Sequence, residues 1–359
     1  MSRPKVVVTR QLIDEAQKLL DAKNDAFEIV QWNSEKVQPT PPHHLETSHI
    51  LTPSSQPCPR PWLLEHAAGA TGILVMLSDK VNEELLDAAG HSLKAIASFS
   101  VGTDHVDLAA LKSRNIRLGY TPTCLTDAVA DLTVMLFLMA QRRAGEAIAK
   151  VNAGEWPQMP WHPLLMTGPG IRGAVVGFLG FGRIAQASLV RLLPFGIKSV
   201  VYLTSKPGKP AREDHYGVLK ESRIPITPAQ NLEELARESD VVIVSCALTP
   251  DTHHIISTPF FEQMKPTAVV VNIARGGVID TNALVAALDA EKIFGAGLDV
   301  IEGEPMIEKD HPILRQKRCV LLPHVGSATT ETREMMAVES VRNLVAGVEG
   351  AGMVNEVEL

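Results

Sequence analysis

The sequence is poor in aromatic residues and in cysteine, and it lacks any excess of positive charge. Aromatics make up 4% of its 359 residues, too few for the repeated stacking platforms that hold single-stranded nucleic acid. There are 34 basic residues against 41 acidic ones, a net charge of -7. That balance argues against nucleic-acid or anionic-membrane binding as the chain's work. The four cysteines, Cys58, Cys124, Cys246 and Cys319, show no C-x-x-C spacing. They read as reduced thiols of a cytosolic protein, not as a disulfide framework or a zinc site. The most apolar helical stretch, Leu132 to Ala140, is far short of a bilayer span. The first residues lack the apolar region and cleavage site of a secretory leader. The final Val-Glu-Leu is not a peroxisomal Ser-Lys-Leu address. A cytoplasmic globular protein is expected.

What is present is ample apolar material, 45% of residues, in a length that predicts two domains at about 150 residues each. Val- and Ile-rich runs at 5–10, 27–31, 72–77 and 93–100 alternate with helical patterns at 11–23, 82–89 and 106–113. Such alternation predicts a parallel sheet covered by helices. Thr126 reads as the N-cap of a long buried helix reaching about Arg143. The alternation restarts with strands at 174–179, 199–204, 241–245, 268–273, 294–298 and 319–322. Helices fall between them at 183–193, 231–237 and 281–290, and a last one covers 329–347. Residues 39–61 break the rhythm with seven prolines and read as an inserted surface loop. Its His43, His44, His49 and Cys58 are too irregularly spaced for a metal site, and no metal is expected.

The run from Ala174 to Ala185 is a strand, a glycine turn and a helix start, matching G-x-G-x-x-[GA] through Gly180, Gly182 and Ala185. Gly180 allows the tight turn, Gly182 lets a pyrophosphate approach the backbone, and a helix N-terminus faces the phosphates. Phe181, Arg183 and Ile184 complete the candidate cofactor-binding turn. An enzyme using NAD places an acid at the end of the next strand, where it bonds the ribose 2′-OH. Here that strand end reads Thr204-Ser205-Lys206, with Lys209 and Arg212 close behind. A 2′-phosphate suits this chemistry, so NADPH is favoured, with NADH as the alternative. The segment from Trp156 to Arg212 carries seven basic residues and no acidic one, a local reversal of the overall charge.

Three later strands end on chemically useful groups. One leads to Arg275-Gly-Gly, one to Asp299 and Glu304-Pro305, and one to Pro323-His324. Strand carboxyl ends face the ligand crevice of an open parallel sheet. A cation, a carboxylate and an imidazole there fit reduction of a 2-oxo acid by hydride transfer. His324 would donate a proton to the developing alkoxide. Glu304 would orient the ring and favour its charged form. Arg275 would hold the substrate carboxylate and polarise the carbonyl.

These motifs occur in order with Ser100-Val-Gly-Thr-Asp-His-Val-Asp107, Gly119-Tyr-Thr-Pro-Thr-Cys-Leu-Thr-Asp-Ala-Val-Ala-Asp131, Gly297-Leu-Asp-Val300 and Leu322-Pro-His-Val-Gly-Ser327. The chain resembles the D-isomer-specific 2-hydroxyacid dehydrogenases, and within them the glyoxylate/hydroxypyruvate reductases. The resemblance implies an α/β fold of two doubly wound domains, Rossmann-like and flavodoxin-like, with a cleft between them. It implies a substrate-binding domain of residues 1–125 plus 325–359, and a dinucleotide-binding domain of 126–324. It puts Val101, Gly102, Leu77 and Ser78 with Arg275 around the substrate, and Asp299 near the nicotinamide carboxamide. It implies a homodimer, with Trp161 reaching the partner subunit's site. The small 2-oxo acid is the expected substrate, and neither nucleic acid nor membrane is expected as partner. A dehydrogenase for a larger 2-keto acid, or a nucleotide-dependent corepressor-like binding module, remains the alternative. The match at 119–131 and 154–164 favours an enzyme.

Overall fold

The computed structural model describes residues 2–33, 56–211 and 213–359. They divide into two units, one of Met1–Leu125 with Thr329–Leu359 and one of Thr126–Ala328. In the first unit the apolar runs become β1 (Lys5–Val8), β2 (Glu28–Gln31), β3 (Ala70–Val75), β4 (Ala95–Ser98) and β5 (Arg117–Gly119). All are parallel, in the order β2-β1-β3-β4-β5, the flavodoxin-like order. Between them lie α1 (Asp14–Asp21), α2 (Arg60–Ala67), α3 (Glu83–Ala89) and α4 (Leu108–Ser113). Local chemistry starts these helices. Asn82 accepts from the Leu85 N–H and Asp107 from the Ala110 N–H, caps worth about 1 kcal/mol each.

The expected surface loop at 39–61 meets the structure only at its end, since residues 39–55 lie outside the described ones. That end differs from the expectation. Pro61 lies in the first turn of α2, with Pro59 just before it. A missing N–H costs nothing there, and the helix buries Leu63 and Ala67. Proline therefore begins an element where it was read as prolonging a loop.

The second unit opens with α5 (Thr126–Gln141) and α6 (Ala144–Asn152). Thr126 is the first residue of α5, not the residue before it. The helix stops short of Arg143, whose φ of +50° is left-handed and incompatible with continuation. Then come β6 (Val175–Leu179), α7 (Arg183–Leu192), β7 (Ser199–Leu203), α8 (Val218–Glu221), β8 (Ile226–Pro228), α9 (Leu232–Glu238) and β9 (Val241–Val244). They are followed by α10 (Thr258–Gln263), β10 (Val269–Asn272), α11 (Thr281–Asp289), β11 (Gly295–Leu298) and β12 (Cys319–Leu321). The seven strands are parallel in the order β12-β11-β10-β9-β6-β7-β8. This is the Rossmann order with one strand added, and its switch point lies between β6 and β9. The central strands β9 and β10 are buried at every residue. That is why their sequences read as unbroken Val and Ile runs.

The chain then returns to the first unit as α12 (Thr330–Glu349), capped by Thr329. Its Ala337, Val341, Leu344 and Val348 share a core with Val6, Val8, Leu12 and Leu20. The return begins at residue 329, not 325 as the resemblance implied. Val325 and Gly326 belong to the second unit because both their N–H groups bond the Asp299 carboxylate.

Candidate active site

Strand β6 ends at Leu179, and the turn Gly180-Phe181-Gly182 leads into α7. Gly180 has φ +87°, and a Cβ there would lie 2.7 Å from the Cys246 nitrogen, so no other residue fits. Gly182 differs. Its φ of -85° suits any residue, yet nothing lies within 4 Å of where its Cβ would be. Beside this open space lies the N-terminus of a helix of 10 residues, whose first N–H groups have no partner within the helix. The arrangement fits a pyrophosphate. It occurs at the switch point, where the Ser245 hydroxyl donates to the Gly180 carbonyl at 2.9 Å.

Phe181 is placed differently from the other turn residues. Its ring stacks on Tyr202 at 4.3 Å and meets Phe178 edge-on, so its side chain belongs to the core and only its backbone can face a ligand. Arg183 and Ile184 lie half-buried in the first turn of α7. Gln186, which sequence reasoning missed, is fully buried. Its amide donates to the Phe181 and Glu213 carbonyls and accepts from the His215 N–H. It locks the turn to the segment after β7. Its signal is a polar side chain within the buried stripe of an amphipathic helix.

At the end of β7, Thr204 Oγ1 accepts the Lys206 N–H at 3.2 Å. Ser205, Lys206 and Lys209 are exposed. Arg212 lies outside the described residues. Of the basic residues in the acid-free segment, Arg191 is engaged elsewhere, paired with Asp127 and Asp131 of α5.

Strands β10, β11 and β12 are parallel neighbours, so Arg275, Glu304 and His324 follow carboxyl ends on one edge of the sheet. His324 Nδ1 lies 2.7 Å from Glu304 Oε1, while Glu304 Oε2 accepts the Ile301 N–H. With both carboxylate oxygens held, Glu304 fixes the orientation of the His324 ring at Nδ1. The His324 backbone is itself constrained, with φ +54° and its N–H on the Asp299 carbonyl at 2.9 Å. The Asp299 side chain accepts from the two following N–H groups, Val325 and Gly326, at 2.8 Å each. Asp299 is only 2% exposed. Burial raises its carboxyl above the ordinary range, against the pull of those two bonds. Its first structural task is thus to shape the His324 turn, a role that sequence reasoning missed. Arg275 is placed by Asn272, whose amide donates to the Arg275 carbonyl and accepts the Ala274 N–H. An Asn at a strand end two or three residues before Arg-Gly is the readable signal of such a turn.

A second His–Glu pair braces these loops. His254 Nε2 lies 2.5 Å from Glu302 Oε1, and Glu302 Oε2 accepts the Thr281 N–H. The His254 N–H donates to the Gly277 carbonyl. One residue therefore ties the Arg275 loop to the Glu304 loop. Burial alone would raise the Glu302 carboxyl, but the bonds from His254 and Thr281 outweigh it and hold it below the usual range. His253 brings a third ligand-type group to within 4.8 Å. The His253 and His254 rings stack, with centroids 3.9 Å apart and planes inclined by 27°.

In the first unit, Leu77 and Ser78 follow β3 and are exposed, and Val101 and Gly102 follow β4. The latter loop is held by Ser100, whose hydroxyl donates to the Gly102 carbonyl at 2.8 Å and meets Ser98 Oγ at 2.6 Å. All four residues lie at the carboxyl edge of that unit's sheet. Trp161, in the irregular segment after α6, is 84% exposed.

Comparison with known proteins identifies the family. A profile of the family described as D-isomer specific 2-hydroxyacid dehydrogenase, NAD binding domain, matches residues 134–326, all within the second unit. The glyoxylate reductase/hydroxypyruvate reductase of Mus musculus is 42% identical over 99% of this chain and 98% of its own. The glyoxylate reductase of Thermococcus litoralis is 37% identical over 97% of this chain and 95% of its own. Among solved structures, the NADPH-dependent glyoxylate/hydroxypyruvate reductase of Sinorhizobium meliloti, in complex with NADP and malonate, superposes with a TM-score of 0.75. It is 28% identical, covering 99% of this chain and 97% of its own. The glycine turn, the oriented imidazole and these likenesses together make the chain a member of the D-isomer-specific 2-hydroxyacid dehydrogenase family, an oxidoreductase that uses a nicotinamide cofactor.

Proposed function

We propose that the chain reduces glyoxylate and hydroxypyruvate to glycolate and D-glycerate, with NADPH as the preferred reductant. The observation that carries the chemistry is the Glu304-oriented His324 ring at the sheet edge that also bears Arg275. The names of the relatives at 42% and 37% identity support the substrate. When bound, the dinucleotide supplies a hydride to the keto carbon. Gly180, Gly182 and the N-terminus of α7 would hold its pyrophosphate, with Phe181, Arg183 and Ile184 lending backbone. Thr204, Ser205 and Lys206 would meet the ribose phosphate. Asp299 has acceptor capacity beyond its two bonds and would receive the nicotinamide carboxamide.

On the substrate side, Arg275 binds the carboxylate through its planar fork, assisted by the backbone of Val101 and Gly102. Leu77 and Ser78 line the substrate. As charge grows on the carbonyl oxygen, His324 delivers the proton from Nε2, and Glu304 stabilises the charged ring before that transfer. The second unit is thus the dinucleotide-binding domain and the first the substrate-binding domain. Trp156, Trp161 and Leu164 are 68%, 84% and 76% exposed. So large an apolar surface within one short segment supports a homodimer, with Trp161 as a contributor to the partner subunit's site. Four free thiols support a reducing, cytoplasmic setting.

A steady-state screen of 2-oxo acids with both cofactors tests the proposal. Turnover of glyoxylate and hydroxypyruvate, with a higher kcat/KM for NADPH than for NADH, is expected. Turnover of neither acid overturns the substrate assignment. A clear preference for NADH overturns the role of Lys206 alone.

A further inference from the structure

The first unit has its own switch point. In the order β2-β1-β3-β4-β5 the direction of winding reverses between β1 and β3, and ligands of such sheets lie outside the strand ends at that crevice. The residues leaving β1 there are Thr9 and Arg10, and those leaving β3 are Met76 to Asp79. They form one network. Asp79 is buried, and its Oδ2 accepts the Thr9 hydroxyl at 2.5 Å and the Met76 N–H at 2.8 Å. The Asp79 N–H closes the turn on the Met76 carbonyl at 2.9 Å. Arg10, itself mostly buried, sets Nη1 at 3.6 Å from Asp79 Oδ1 and on the Thr9 carbonyl at 2.6 Å. Its Nη2 donates to Ser78 Oγ at 2.8 Å. The Arg10 carbonyl is in turn fixed by the Gln31 amide at 3.0 Å.

The direction of the Arg10–Ser78 bond has a chemical consequence. A serine hydroxyl has one proton and two lone pairs. Because the guanidinium can only donate, Ser78 Oγ is its acceptor, and the Ser78 proton is left to point elsewhere. Ser78 and Leu77 are exposed while Asp79 beneath them is buried. A burial-tight bracket thus presents one apolar side chain and one oriented O–H donor at the crevice.

We infer that Thr9, Arg10 and Asp79 are positioning residues for the 2-oxo acid: they hold the 76–79 turn so that Ser78 serves as a hydrogen-bond donor to a substrate oxygen and Leu77 as the adjoining wall. The inference rests on the functional reading above. None of the three touches substrate; they act through Ser78. Arg10 is the sharpest case, because lysine lacks the fork that meets Ser78, Thr9 and Asp79 together.

The test is a double-mutant cycle read in steady-state kinetics at saturating cofactor. Arg10→Gln and Ser78→Ala are each expected to raise KM for glyoxylate and hydroxypyruvate about 5- to 50-fold with kcat changed less than about threefold, the pattern of lost uniform binding. The double variant is expected to be no worse than Ser78→Ala alone, because Arg10 works through that hydroxyl. Thr9→Ser keeps the donor to Asp79 and should resemble the wild type. Thr9→Val removes it at equal size and should share the KM defect, which keeps the test available if Arg10→Gln folds poorly. Additive effects in the cycle, or an equal fall of kcat and of cofactor affinity in every variant, overturn the inference. If the unaltered chain reduces neither acid, the functional reading itself fails, and this inference with it. Normal turnover by the wild type together with unchanged KM in all the variants defeats the inference alone.

Discussion

At the scale of single residues, the site depends on two carboxylates with different duties. Glu304 touches the imidazole, whereas Asp299 shapes the turn on which the imidazole sits. Removing the ring by His324→Ala removes the proton donor, and kcat should fall at least about a hundredfold, the lower end for a general acid. Glu304→Gln keeps the size of the partner but removes the carboxylate that faces the ring at Nδ1. Its kcat should fall about tenfold to a hundredfold, since the ring loses the carboxylate that holds it. Steady-state kinetics of both variants check this. An unchanged kcat for Glu304→Gln would falsify its role. His324, Glu304 and Arg275 were legible in the sequence because each follows a short apolar run that becomes a strand, β12, β11 and β10 respectively. Asp299 as a turn anchor and the His254–Glu302 brace were not. Their effect lies in bonds to backbone N–H groups far along the chain, and no spacing rule carries that information.

At the scale of elements, the glycine turn separates two requirements that a motif merges. Gly180 is demanded by the protein, through its φ and the nearness of Cys246. Gly182 is not demanded by the fold, since its φ suits any residue and nothing lies within 4 Å of its Cβ position; its glycine is assigned to the ligand under the proposed function. Gly182→Ala is therefore expected to leave the thermal midpoint within about 2 °C, since a surface change with room to spare costs little, while raising KM for the cofactor at least tenfold. Gly180→Ala is expected to lower the midpoint as well, because its Cβ meets backbone and its φ is strained. Calorimetry beside cofactor titration distinguishes the two, and a Gly182→Ala enzyme with unchanged cofactor KM would sink the reading. The buried strands were readable for the reason that makes parallel sheets stable, namely burial on both faces. The edge strands β5 and β8, three residues each, were not read. Helix α2 was hidden by the prolines that start it.

At the scale of the whole molecule, its response to acid is set by carboxylates shifted in opposite directions. Burial raises Asp299 in one unit and Glu339 in the other. Arg117 lowers Glu356, and Glu302 lies low through His254. A raised carboxylate binds its proton more tightly in the folded state, so stability increases as pH falls through its folded value. A lowered one does the reverse, and its contribution disappears as pH falls below the ordinary carboxylate range. Stability should thus pass through a maximum in mildly acidic solution before acid unfolding. Thermal midpoints measured from neutral pH downward check it. Glu302→Gln should weaken the acid limb, and a midpoint that declines steadily from neutrality would contradict the assignment. The path of the chain has one more consequence. The second unit is a single continuous stretch, and it leaves the ribosome complete. The first unit's core includes Val6 and Val8 and also Leu344 and Val348, so its sheet keeps an uncovered face until α12 has been made. Because a domain folds as a unit once its parts are present, the unit whose strands precede the other in the chain is the one completed after it.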